Sequence, residues 1–173
     1  MNVLRLTKKD FKKSDSYWSD YIGKTDVSDY DGHIDIEGNL GWVRFVSLRV
    51  SGNIGAEAGS GIEAGWGIEA GLGIEADWGI EAGWGIKAGS GIVTFFNAIK
   101  AKLSITANLK ATISAGIFNF DGPQDIEAQE IIGNVIYGNK KLLPKEENLE
   151  VDDLHGQEVT VTIKGKTYTA IVK

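Results

Sequence analysis

The sequence predicts a mainly β protein: a β-solenoid of short strands, with a short helical N-terminal cap and a small α+β C-terminal cap. Two observations carry the solenoid. Residues 61–92 read GIEAGW, GIEAGL, GIEADW, GIEAGW, GIKAGS, GI, a six-residue unit repeated with little drift. Around it, apolar and polar residues alternate at period two from Ile34 to Ile117, as the two faces of a strand require. A helix is excluded by the glycines of each hexad, which would cost about 1 kcal/mol apiece there. A single strand of this length is excluded too, since strands run about 3–10 residues. The chain must turn repeatedly while keeping one residue set inside. A meander of antiparallel hairpins, turning at the glycines and closing into a barrel or sandwich, is the rival arrangement.

The chain has 173 residues, 42% of them apolar and 24% charged, enough for one folded domain with a small appendage. It has no cysteine, which excludes disulfides, thiolate nucleophiles and thiolate metal ligands and suits a reducing cytosol. The opening MNVLRLTKKDFKKSD has no long apolar run and no small-residue cleavage site, so no signal peptide is expected. No stretch approaches about eighteen apolar residues, so no membrane span is expected. The net charge is −6. Glu57, Glu63, Glu69, Glu75, Asp77 and Glu81 come without a basic residue among them, and Lys87, Lys100, Lys102 and Lys110 follow without an acid.

Three segments follow. Residues 1–33 read as the N-terminal cap. Thr7 and Asp10 form a capping box with Asp in place of Glu, predicting a short helix over residues 8–14. Tyr17, Trp18, Tyr21 and Ile22 are spaced to cover the open end of a coil. Residues 34–120 read as the repeat domain. Its even positions, including Trp42, Trp66, Leu72, Trp78 and Trp84, fall on the inward set; Arg44 sits on that set out of place, and Val43 and Phe45 on the polar one. Three hexads per coil would stack residues eighteen apart: Trp66 with Trp84, Glu63 with Glu81, Glu69 with Lys87, and Ser60, Trp78 and Phe96 in one column. The parity slips once, at Phe95-Phe96-Asn97, which a bulge or corner must absorb. Residues 121–173 read as the α+β domain: a short helix opened by Pro123, a hairpin turn at Gly133-Asn134, a charged loop from Lys145 to Asp153, and a hairpin around Lys164-Gly165-Lys166.

Leu103-Ser-Ile-Thr-Ala107-Asn and Trp66-Gly-Ile-Glu-Ala70-Gly thread onto a known hexad unit: an aliphatic residue, a small or acidic one, two free positions, a small residue and a free one. Over residues 50–117 at most, the chain resembles the hexapeptide-repeat β-solenoid family. That resemblance implies a triangular, left-handed coil. The chain departs from it by placing Trp where an aliphatic belongs and leaving Ile at a position that usually faces out. The family's acyltransferases use a histidine base between coils; residues 34–120 contain no histidine, so that activity is not carried over. The hexad array with an unrelated C-terminal segment also loosely resembles small phage and mobile-element proteins that inhibit host defence, the anti-CRISPR type among them. That resemblance implies a macromolecular partner and action in the cytoplasm of a bacterial host.

Few residues offer chemistry. His33 and His155 are the only histidines, each beside a glycine in an expected loop, with nothing to gather them into a metal site. There is no phosphate loop, no Gly-x-Ser-x-Gly context and no Ser-His-Asp set. No catalytic residue, metal or cofactor is expected. The acidic row admits three readings: a solvated face that keeps the sheet from associating, an acidic surface for a basic partner, or a hard-cation site. The Trp set reads as core, or as an exposed ladder for stacking sugars or bases. Lys100, Lys102 and Lys110 are too few for a nucleic-acid site alone.

The expectation is a non-enzymatic binding protein that engages a macromolecular partner, a protein or nucleoprotein complex, through Glu63, Glu69, Glu75, Asp77 and Glu81. The alternatives are a structural, self-assembling solenoid and a carbohydrate-binding module.

Overall fold

The computed structural model describes residues 1–108, 112–118, 122 and 124–145, and the backbone of residues 158–163 and 166–171. Two compact units result, Met1–Leu143 and Pro144–Lys173. The larger is the coil. Its strands visit three parallel sheets in rotation, here called faces 1, 2 and 3: Ile54–Ala56, Ser60–Ala64, Gly67–Ala70, then Ile74–Ala76, Ile80–Ala82, Gly85–Ala88, and so on. Among the described residues, faces 1, 2 and 3 hold seven, eight and five strands. The rival antiparallel meander is therefore replaced by a solenoid-like coil.

Each hexad is one strand and one corner, so eighteen residues complete a turn within the array: Ile62 pairs with Ile80, Ile68 with Ile86 and Ile74 with Ile92. The Ile and Ala of each Ile-x-Ala unit point inward. Ile62, Ile68, Ile80 and Ile92 are wholly buried, and the ladder of such residues makes one continuous core. Full burial of each such side chain stabilises by roughly 1.5–3 kcal/mol. Strand pairing fixes this registry, because a one-residue slip would turn every Ile outward.

The inward set differs from strict even parity in two places. Val43 and Phe45 are buried, and Trp42 and Arg44 face out. The three apparent exceptions were thus a local change of phase, absorbed at the corners on either side of Gly41–Phe45. The second difference is larger. Trp66, Trp84 and Leu72 are exposed, at corners. Six is an even number, so period-two parity survives each turn whether or not the turning residue faces in. The slip near Phe96 lies at a corner too: Ile80 pairs with Ile99, and Asn97 rather than Phe96 follows Trp78 in the column above Ser60.

The coil is longer than the hexads suggest. Val3–Leu6 begins face 1 by pairing with His33–Ile36. The predicted helix over 8–14 is a single 3-10 turn, Lys8–Asp10, held by the Asp10 carboxylate, which accepts the Thr7 backbone N–H at 2.8 Å. It stops there because Phe11 is buried edge-on against Tyr21 and Phe45, drawing Phe11–Lys13 into an antiparallel pairing with Trp18–Tyr21 on face 2. The N-terminal cap is therefore strand, not helix.

At the other end, Asp125–Ala128 is a strand of face 2, with Ile126 and Ala128 wholly buried. Its Ile-Glu-Ala is the hexad core once more, which overrides the helix expected there. Gly133 lies at a corner between Glu130–Ile132 on face 3 and Asn134–Tyr137 on face 1, not at a hairpin turn. In the smaller unit, Glu158–Ile163 and Lys166–Ile171 form the expected antiparallel hairpin. Lys110, Pro123, His155 and the turn residues Lys164 and Gly165 lie outside the described residues, as does most of the predicted charged loop.

Candidate functional site

The five acidic residues do not form one row. Glu63 and Glu81 are neighbours on face 2, Glu69 is on face 3, Glu75 is on face 1, and Asp77 follows the strand Ile74–Ala76 at the corner into face 2. With three strands per coil, a six-residue repeat sends successive equivalents to successive faces. Only residues about one coil apart meet.

Most of these carboxylates are occupied within the molecule. On face 2, Arg44 lies between Asp20 at 3.4 Å and Glu63 at 3.3 Å, with its guanidinium over the Trp18 ring. Further along, Lys100 approaches Glu127 at 3.9 Å, and Lys141 reaches Asp125 and Glu127. Hydrogen bonding from Lys141 holds the Asp125 carboxyl below its ordinary range. Glu81 stands in the middle of this ladder. Burial pushes its carboxyl up, Lys100 opposes that, and Glu63 and Glu127 add to it. On face 3, Arg49 pairs with Glu69 at 3.5 Å. The Asp77 carboxylate accepts the Gly59 backbone N–H at 2.6 Å and secures a corner. Reversing all five charges would therefore set base against base and disturb the fold as well as a surface.

His33 opens a strand rather than a loop. Its Nδ1 accepts the Asn53 backbone N–H at 3.0 Å, so the ring proton belongs to Nε2. Among the described residues, no group of three or more His, Cys, Asp or Glu side chains is placed to hold a metal ion. No described helix is long and apolar enough to cross a membrane.

The conspicuous surface is the corner between faces 2 and 3. Val46, Trp66, Trp84 and Leu103 occupy it on four successive coils, 78%, 57%, 55% and 43% exposed. Their backbones are chained: Trp66 N–H donates to the Val46 carbonyl, Trp84 to Trp66, and Leu103 to Trp84. The two indoles stack with centroids 4.8 Å apart and planes at 26°. Corner geometry thus holds an apolar stripe roughly 15 Å long, given a strand spacing of about 4.8 Å. Ion pairs flank it on both sides: Arg44–Glu63 on face 2 and Arg49–Glu69 on face 3.

Sequence reasoning anticipated the Trp66–Trp84 stack and left it as core or as an exposed ladder; the ladder is exposed, and Val46 and Leu103, which it missed, extend it. Aligning the chain on its inward residues (Ile62, Ile80, Ile99) brings Leu103 into the Trp column; Val46, three rather than four residues after Val43, joins it through the backbone bond from Trp66. Other aromatic groups lie elsewhere, among them two stacked pairs. Trp18 stacks on Trp42 at 5.3 Å, and Phe95 stacks on Phe118 at 5.4 Å.

Comparison with family models, curated proteins and solved structures gives no match. The site is therefore read from its geometry alone.

Proposed function

We propose that this chain is a non-enzymatic binding protein whose rigid coil presents the Val46–Trp66–Trp84–Leu103 corner to a partner protein. The observation that carries the reading is an exposed apolar stripe with two stacked indoles at its centre and an ion-paired rim on either side. Contiguous exposed apolar patches mark interaction sites, and buried Trp anchors carry a disproportionate share of interface energy. The internally paired rim favours a protein partner over nucleic acid, because its arginines are already answered by carboxylates.

The sugar-binding reading is less well supported. Sugars stack on free ring faces, and here each indole gives one face to the other. The inhibitor reading, acting in the cytoplasm of a bacterial host, extends the proposal: a partner from a host-defence complex would be occluded by this rigid edge.

The test is capture of partner from bacterial lysate by the full chain, with and without nuclease, using wild type, Trp66→Asp/Trp84→Asp and Tyr17→Asp. A protein retained by wild type and by Tyr17→Asp, insensitive to nuclease and weakened at least about 30-fold by the Trp pair, supports the reading. Equal capture by the Trp pair overturns it. A match of circular dichroism spectra confirms that the variants share one fold.

A further inference from the structure

We propose that the groove on face 1 centred on Gly55 is a receptor for a guanidinium group, an arginine side chain presented by a partner protein. This face does not border the Trp66–Trp84 corner, and the inference does not depend on it.

The coil supplies its own template. The hexad glutamate occurs once on each face in the same coil: Glu63, Glu69 and Glu75. One coil earlier, the residue in register with Glu63 is Arg44, and the residue in register with Glu69 is Arg49. Both arginines bond their glutamates. In register with Glu75 is Gly55. Face 2 continues the pattern one coil further with Asp20, which also bonds Arg44. Face 1 continues it with Asp35, in register with Gly55. The ladder Asp20–Arg44–Glu63 is thus repeated as Asp35–Gly55–Glu75, with the arginine missing.

The vacant place is open. A Cβ added to Gly55 would meet only the Asp35 Oδ1, at 3.6 Å. A groove of about 410 Å³ runs over Gly55, Gly73 and Gly91, walled by Asp35 and Glu75. A second depression, of about 290 Å³, adjoins it at Gly55 and adds Glu57. Neither Asp35 nor Glu75 has an ion-pair partner among the described residues. The bases carried by the described strands of face 1 are Arg5, which stands in register with Asp35 but turns to Glu37, bonding it at 3.3 Å, and His33, whose Nδ1 accepts the Asn53 N–H.

Two features favour arginine over lysine. The glycine floor is flat backbone, which suits a planar guanidinium. Arginine's rigid fork also reaches two carboxylates on opposite sides, as Arg44 does, whereas an ammonium is a point charge. A lone exposed ion pair is weak, so the group must come from a segment that makes further contacts along the groove.

The test uses the full chain and a fluorescent nine-residue peptide of three arginines spaced by Gly-Ser, with a lysine twin, by anisotropy at fixed ionic strength. The arginine peptide should bind about tenfold tighter than the lysine twin. Asp35→Asn/Glu75→Gln should weaken it about tenfold, and so should Gly55→Arg, which fills the place from within. Asp29→Asn/Glu130→Gln, which removes equal charge elsewhere, should change it less than about twofold. Equal binding of the two peptides, equal weakening by the two neutralised pairs, or no binding of the arginine peptide overturns the proposal. Should Gly55→Arg fail to fold, the neutralised pairs decide the matter.

Discussion

The corners and the faces of the coil use the same residue, glycine, for opposite ends. A Cβ at the corner residue Gly83 would lie 2.0 Å from the Gly65 carbonyl oxygen, and one at Gly89 equally close to that of Gly71. These glycines exist so that one coil can stack on the next. At Gly73, which leads into the face 1 strand Ile74–Ala76, a Cβ would meet the Asn53 Oδ1 at 3.4 Å and the Gly91 oxygen at 3.6 Å, which is ordinary contact. Gly55 and Gly73 leave space. At Gly61 the Trp42 ring takes that space, and at Gly79 the Trp42 ring and the Ala98 carbonyl oxygen share it. At Gly55 it is open. A repeat that reads as low complexity therefore carries two steric settings: a closed one at Gly83 and Gly89, where coil stacks on coil, and an open one at Gly55, where part of a face is left free.

The comparison presumes a core that does not yield, and the largest effect tests this. Ile80 is wholly buried between Ile62 and Ile99. Ile80→Ala should cost about 2–5 kcal/mol by urea unfolding, because a cavity between paired strands cannot collapse. A cost below about 1 kcal/mol would show a core loose enough to blur the distinction between corners and faces.

Next in size, and sharpest, is a matched pair of glycine variants. Gly83→Ala forces a methyl group into backbone and should cost about 1–3 kcal/mol. Gly73→Ala should be neutral, or stabilise by up to about 1 kcal/mol, since it restricts the unfolded chain without strain in the folded one. Equal losses from the two would break the comparison.

How much of this the sequence discloses depends on the same division. The inward column is legible, because Ile-x-Ala recurs at fixed spacing and burial imposes period two. The eighteen-residue coil and the Trp66–Trp84 stack follow from it. The facing of corner residues is not legible by parity, since an even repeat length preserves parity through a turn; hence Trp66, Trp84 and Leu72 fall on the inward set by parity, and parity cannot choose between a buried and an exposed Trp ladder. The strand Asp125–Ala128 was obscured by the neighbouring Asp121-Gly-Pro run, although its Ile-Glu-Ala matches the hexads. The acidic row misled for a different reason. Adjacency along the chain places its members on different faces, so the pairing of Glu63 with Arg44 and of Glu69 with Arg49 becomes visible only once the registers are known.

The smallest effect concerns charge on a face. Glu81 and Asp125 belong to the same ladder and are shifted in opposite directions. Burial raises the Glu81 carboxyl, so the folded chain holds that proton more tightly than the unfolded chain. Ionising it lowers stability as pH rises from the ordinary glutamate range through the raised folded value. Lys141 lowers the Asp125 carboxyl, so its contribution is present above the ordinary aspartate range and is lost as pH falls through the lowered folded value. Glu81→Gln should therefore raise the melting temperature at neutral pH, with the difference shrinking as pH falls below the ordinary glutamate range, where the glutamate is protonated in both states. Asp125→Asn should lower it at neutral pH, with the difference shrinking in stronger acid. Parallel melting curves for the two variants across pH would mean that the face is a uniform solvated surface, with no gradient of burial along its ladder.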